Sequence, residues 1–226
     1  MYTILIASLL PVVLLMIYIY AKDRYKKEPF SMILKALVGG ALAGLLDVLL
    51  LSVTGLGSLQ FYDPLVQSAY TAFGLAGFPE ELCKFFFLYL FIWKSQYFDE
   101  YYDGVEYGAF TGLGFAALEN ISYVTQYGLQ VAVSRALFAV PAHFFFGIIM
   151  GYFFAYAKFR PWHRKGYLFL SLFLPVLFHG IYDFLLMYNN ALENTQLGYI
   201  LYGVWFVFFF LLFRFAKKKM THLIGK

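Results

Sequence analysis

Long apolar runs broken by short polar segments account for nearly the whole chain. They lie at roughly 2–21, 31–53, 65–93, 105–127, 130–157, 166–188 and 198–216. A helix rising about 1.5 Å per residue needs about 20 residues to cross the hydrocarbon core of a bilayer. Seven runs of that length predict an all-α, polytopic membrane bundle of about seven transmembrane helices, forming one domain over residues 1–226. Pro79 and Pro141 fall near the centres of the two longest runs. A mid-helix proline removes a backbone hydrogen bond and bends the rod, so both runs are expected to kink. The first run has neither a basic segment before it nor a small-residue cleavage site after it, and reads as a retained anchor.

Four of the seven runs are interrupted by ionisable residues. Glu80, Glu81 and Lys84 sit in the third, Glu119 in the fourth, Arg135 and His143 in the fifth, and His179 and Asp183 in the sixth. Charge at bilayer depth is expensive and faces the bundle interior or a wet cavity. Acids and imidazoles on four consecutive spans at compatible depth therefore predict one shared polar site, within a catalytic core of about 65–188.

Composition and charge narrow the field. Only 13% of the 226 residues are charged and 62% are hydrophobic, against about 25% charged in an average soluble domain. The single cysteine, Cys83, lies inside an apolar run, which excludes a disulfide framework or a cysteine metal site. The net charge of +4 resides in short segments between runs, which speaks for topology and against a nucleic-acid partner. Basic residues cluster at 22–27, 158–165 and the C-terminal end, whereas the segments 54–64, 128–129 and 189–197 carry none. The expected orientation is N-terminus outside and C-terminus cytoplasmic.

Helical spacing suggests how the polar groups pair. Glu80 and Lys84 are four apart, as are His179 and Asp183, while adjacent Glu80 and Glu81 diverge by about 100°. Lys84 is thus expected to neutralise Glu80 and leave Glu81 facing a cavity as general base. His179, held by Asp183, would serve a developing oxyanion or shuttle a proton. The plainer readings are packing roles: a Glu–Lys pair between helices, a hydrogen-bonded His143, Asn120 as a helix bridge, Asp47 as a structural residue, and Arg135 snorkelling to the boundary. Asp99, Glu100 and Asp103 read as a solvated acidic turn, and Gly39, Gly40, Gly44, Gly112 and Gly114 as close-packing positions. The 28 Phe and 20 Tyr read as lipid-facing surface and interfacial belt.

The ordered set of motifs resembles the PrsW family of intramembrane proteases. It comprises Asp23-Arg24-Tyr25-Lys26-Lys27-Glu28-Pro29, Glu80-Glu81-x-x-Lys84, Asp103-Gly104-x-x-Tyr107-Gly108 leading to Gly112-x-Gly114 and Glu119-Asn120, then His143-x-x-x-Gly147 and His179-x-x-x-Asp183. The resemblance implies site-1 cleavage of a single-span membrane protein, typically an anti-sigma factor, at a bacterial plasma membrane. The family is similar to the glutamate-dependent endopeptidases that include the CAAX prenyl proteases, and by that analogy Glu80 activates water. Analogy and helical geometry thus name different bases.

The catalytic set expected from the two lines together is Glu80, Glu81, Glu119, His143, His179 and Asp183, supported by Lys84, Asn120 and Arg135. This reading requires no cofactor. The same two Glu and two His offer a Zn²⁺ alternative, although no His-Glu-x-x-His helix is present. A proton-coupled transporter is the competing class, disfavoured by the lack of similarity between the two halves.

Overall fold

The computed structural model describes residues 2–23, 26–192 and 196–224. Arg24, Tyr25 and Lys226, and the middle of the 189–197 segment, lie outside the described residues. The described residues form seven long helices: α1 (Tyr2–Lys22), α2 (Phe30–Thr54), α3 (64–92), α4 (Tyr101–Tyr127), α5 (Leu129–Phe159), α6 (Arg164–Ala191) and α7 (Gln196–Leu223). Among the described residues there is no strand.

Five of these helices, α1, α2, α5, α6 and α7, are long and apolar enough to cross a membrane. The remaining two, α3 and α4, are long but burdened with acids. Their position explains the exception: α4 is the hub, packed on α1, α2 and α5, and every residue from Tyr102 to Ala116 is buried. A helix shielded by neighbours does not meet lipid, so it tolerates polar side chains that a peripheral helix cannot.

At both prolines the helix changes register in the same way. In α3 a π-helical stretch, Tyr70–Gly77, passes into the α-helix Phe78–Ile92, whose second residue is Pro79. In α5 the π stretch Arg135–Ala139 precedes Val140–Phe159, whose second residue is Pro141. Proline cannot donate to the carbonyl four residues back, and a change of helical register just before it absorbs that loss. Each register change ends three or four residues before a site residue, Glu80 or His143.

Glycines set the helix spacing around the site. A Cβ at Gly40 would collide with the Thr111 carbonyl, and one at Gly112 with the carbonyl of His143. The α4–α5 seam at His143 therefore depends on the missing methyl. Gly112→Ala is expected to destabilise the fold by about 1–3 kcal/mol through overpacking and to push His143 from its partners, measurable as a lowered Tm together with reduced cleavage.

The acidic turn expected at 99–103 is instead a helix start. Asp103 is buried and accepts hydrogen bonds from the backbone N–H groups of Asp99 (3.0 Å) and Glu100 (2.6 Å), capping α4. An N-terminus whose N–H groups have no helical partner makes this carboxylate more useful inside than in water. Asp99 pairs with Lys26. Nearby, Glu28 is buried in the segment between α1 and α2 and accepts a hydrogen bond from the Tyr107 hydroxyl.

Burial, with the carboxylates of Asp103, Glu106 and Asp99 close by, raises the Glu28 pKa to about 9. An acid whose folded pKa lies above its unfolded value holds its proton longer in the folded state. Stability therefore falls as pH rises from about 4.5 towards about 9. Glu28→Gln keeps an acceptor for Tyr107 and is expected to flatten this slope. In thermal melts in lipid the variant should be more stable than the parent at pH 8.5, by about 1–2 kcal/mol, and equal to it at pH 5.

Candidate active site

The acids and imidazoles of four helices converge. Glu80, Glu81, His143 and His179 each offer an atom within 4.8 Å of the others. At their centre is the Lys84 ammonium, 1% exposed and lying over the Phe115 ring at 3.8 Å from its centroid. It donates to Glu81 Oε1 at 2.7 Å and approaches Glu80 Oε2 at 3.4 Å. The His143 Nδ1 is 3.0 Å away.

The ammonium can only donate, so His143 Nδ1 is assigned as acceptor and Nε2 as the protonated nitrogen. Nε2 then donates to Glu119 Oε2 at 2.7 Å. Glu119 also accepts from Arg135 Nη2 at 2.8 Å, and Arg135 Nε donates to Asn120 Oδ1 at 2.7 Å. Asn120 in turn donates to the Ser8 carbonyl of α1 at 2.7 Å. On the other side of Lys84, His179 places Nδ1 2.9 Å from Glu81 Oε1 and Nε2 3.3 Å from Asp183 Oδ2. One polar chain thus runs from α1 through α4, α5 and α3 to α6.

The pairing reverses one expectation. Glu81 is fully buried and holds Lys84 more closely, whereas Glu80 lines a cavity of about 420 Å³. Positions three apart on a helix are neighbours as surely as those four apart, and His179 covers Glu81 from α6. The carboxylate that faces the cavity is therefore Glu80, in looser contact with Lys84. Arg135 does not snorkel either: it turns inward to Glu119 and Asn120 and packs over the Tyr123 ring at 4.0 Å. A half-buried carboxylate within reach is a stronger acceptor than interfacial water.

Two features of the site lie beyond the catalytic and supporting residues expected from the sequence. Asp47 of α2 is buried, its Oδ1 lacks a hydrogen-bond partner, and it lies within electrostatic range of Lys84, Glu119 and His179. The cavity also extends beyond residue 188 to Tyr202, Trp205 and Phe206 of α7. Aromatic residues are so common here that no local signal separates three cavity-facing rings from lipid-facing ones.

A helical membrane bundle with a buried cluster of carboxylates and imidazoles opening on a cavity is the arrangement of a candidate membrane-embedded catalytic centre. The sequence profile described as PrsW family intramembrane metalloprotease matches residues 28–213. The chain is 36% identical over 206 residues to Protease PrsW of Geobacillus kaustophilus, covering 91% of this chain and 88% of that relative. It is 38% identical over 187 residues to Protease PrsW of Halalkalibacterium halodurans, covering 83% and 85%. With Protease PrsW of Bacillus subtilis it shares 36% identity over 226 residues, covering 100% and 98%. No solved structure matches. The chain belongs to the PrsW family of intramembrane proteases, and it is a peptidase.

The family description includes a metal. Two carboxylates and two imidazoles are the right donor types for Zn²⁺. Their arrangement is not right for it, because the Lys84 ammonium already lies within 3.4 Å of three of the four donors. The fourth, His179, turns its Nδ1 to Glu81. A divalent ion about 3 Å from an ammonium meets a repulsion of roughly 10 kcal/mol even at an effective dielectric of 20. As arranged, the donor set does not fit a divalent cation.

Proposed function

We propose that the protein cleaves a single-span membrane protein within or beside the bilayer, by water that Glu80 activates. The observation that carries this reading is the division of labour in the Glu pair: Glu81 is neutralised by Lys84 and His179, while Glu80 faces the cavity. Glu80 takes a proton from water as its oxygen bonds to the scissile carbonyl carbon. His179, oriented by Asp183 and Glu81, supplies positive charge beside the oxyanion. The proton then passes from Glu80 to the leaving nitrogen, the C–N bond breaks, and a carboxylate and an amine result. Glu119, Arg135 and Asn120 hold His143, which fixes Lys84 from the opposite side; Glu119 is a positioning residue in this scheme.

The resemblance of the motif set points to an anti-sigma factor or a similar single-span regulator as substrate, in a bacterial plasma membrane. Basic residues at 22–27, at 158–165 and in the last turns of α7 support a cytoplasmic position for those ends of the helices. The N-terminus is then outside, and the cavity mouth, at the other end of the bundle, faces outward.

The test is cleavage in proteoliposomes of candidate single-span regulators, read as a size shift on a gel. The parent should cut at least one. If a protein carrying both Glu80→Ala and Glu81→Ala still cuts it, the mechanism is wrong.

A further inference from the structure

The cavity has two unlike halves. Its floor is ionisable, with Glu80, His143, His179 and Asp183; its wall is aromatic and aliphatic, with Phe138 of α5, Leu186 of α6 and Trp205 and Phe206 of α7. The proposed chemistry uses the floor and leaves the wall without a role. Phe206 is 53% exposed yet lines the cavity, as do the exposed Tyr123, Ser134 and Tyr202. These four residues surround the mouth where α4 ends and α5 and α7 begin. There α7 packs mainly on α6 and α5 and touches α4 little.

Size dictates what can enter. One turn of helix with its side chains, about 10–12 Å across and about 5.4 Å in pitch, occupies roughly 400–600 Å³. A cavity of about 420 Å³ is of the order of one such turn, which matches a short segment of chain better than an intact helix of several turns. An aromatic and aliphatic wall gains from burying apolar side chains and gives nothing to small polar ones.

We infer that α7 builds the side-chain subsite of this peptidase: Trp205 and Phe206, with Phe138 and Leu186, receive a bulky apolar residue of an unwound segment that enters past Tyr123 and Tyr202. The inference rests on the peptidase reading above, but it concerns recognition and not bond breaking. Phe206 is the contact residue best suited to probing it, since half its surface is already exposed and truncation removes little from the core. Val207, its exposed neighbour, is not part of the cavity wall and serves as control.

The test measures binding of N-acetyl tripeptide amides to the full chain in lipid nanodiscs. The probes are acetyl-Leu-Phe-Leu-amide and acetyl-Gly-Ser-Gly-amide, with the parent, Phe206→Ala, Val207→Ala and Glu80→Gln proteins. The apolar peptide should bind the parent at least tenfold more tightly than the polar one. Phe206→Ala should weaken it about tenfold, and Val207→Ala should leave it within twofold. Equal binding of the two peptides, no binding of either, or equal effects of Phe206→Ala and Val207→Ala would overturn the subsite. Glu80→Gln separates the two levels of the account: binding should survive it while cleavage of a single-span substrate is lost. Cleavage that persists overturns the catalytic reading alone.

Discussion

Glu80→Gln is expected to lower the rate of substrate cleavage by about 10²–10⁴-fold, the usual contribution of a positioned general base, with thermal stability within about 1 kcal/mol of the parent. The side chain faces the cavity, its shape is conserved by the substitution, and its contact with Lys84 at 3.4 Å is the looser of the ammonium's two carboxylate contacts. The fall should lie in kcat with KM little changed, since the amide occupies the same volume beside the substrate. Glu81→Gln should behave differently. It takes the negative charge from the acceptor that Lys84 and His179 share, so stability and activity should drop together. Equal stability losses for the two variants, or a Glu81 variant that is inactive yet fully stable, would exchange their roles.

Lys84→Met carries the second large effect. It removes the cation from a carboxylate with no exposure, and breaking a buried pair in this way typically costs about 3–5 kcal/mol. Expression and Tm should fall sharply. Adding Glu81→Gln to Lys84→Met removes the stranded charge and should recover more than half of the lost stability, a coupling that a double-mutant cycle reads directly. Cleavage should not return with the fold, because His143 Nδ1 would still lack its donor and Glu80 its fixed positive neighbour. Strict additivity of the two substitutions would show that the pair does not interact in the folded protein.

The helices, and the convergence of Glu80, Glu81, His143 and His179, were legible because apolar runs and interrupting charges are one-dimensional signals of a bilayer. The close-packing role of Gly40 and Gly112 was legible for the same reason, since small residues in an apolar run leave room for a neighbour. Which carboxylate met Lys84 was not legible. Spacings of three and four both place side chains on one face, and the choice is made by His179, a residue 98 positions away in sequence. The inward turn of Arg135 depended on Glu119 and Asn120 being opposite it, again a tertiary fact. Asp103 was misread as solvated because nothing local distinguishes an exposed acidic turn from a buried helix cap. The α7 wall was hidden by the abundance of aromatic residues, which makes each one uninformative.

The Lys84 ammonium lies among Glu80, Glu81 and His143, in the place where a divalent ion would need to sit. The most direct measurement combines the metal content of the purified, lipid-reconstituted protein with its cleavage rate before and after treatment with 1,10-phenanthroline. Far less than one transition-metal ion per chain and an unchanged rate are expected. One Zn²⁺ per chain, with activity lost to the chelator and restored by Zn²⁺, would contradict that expectation.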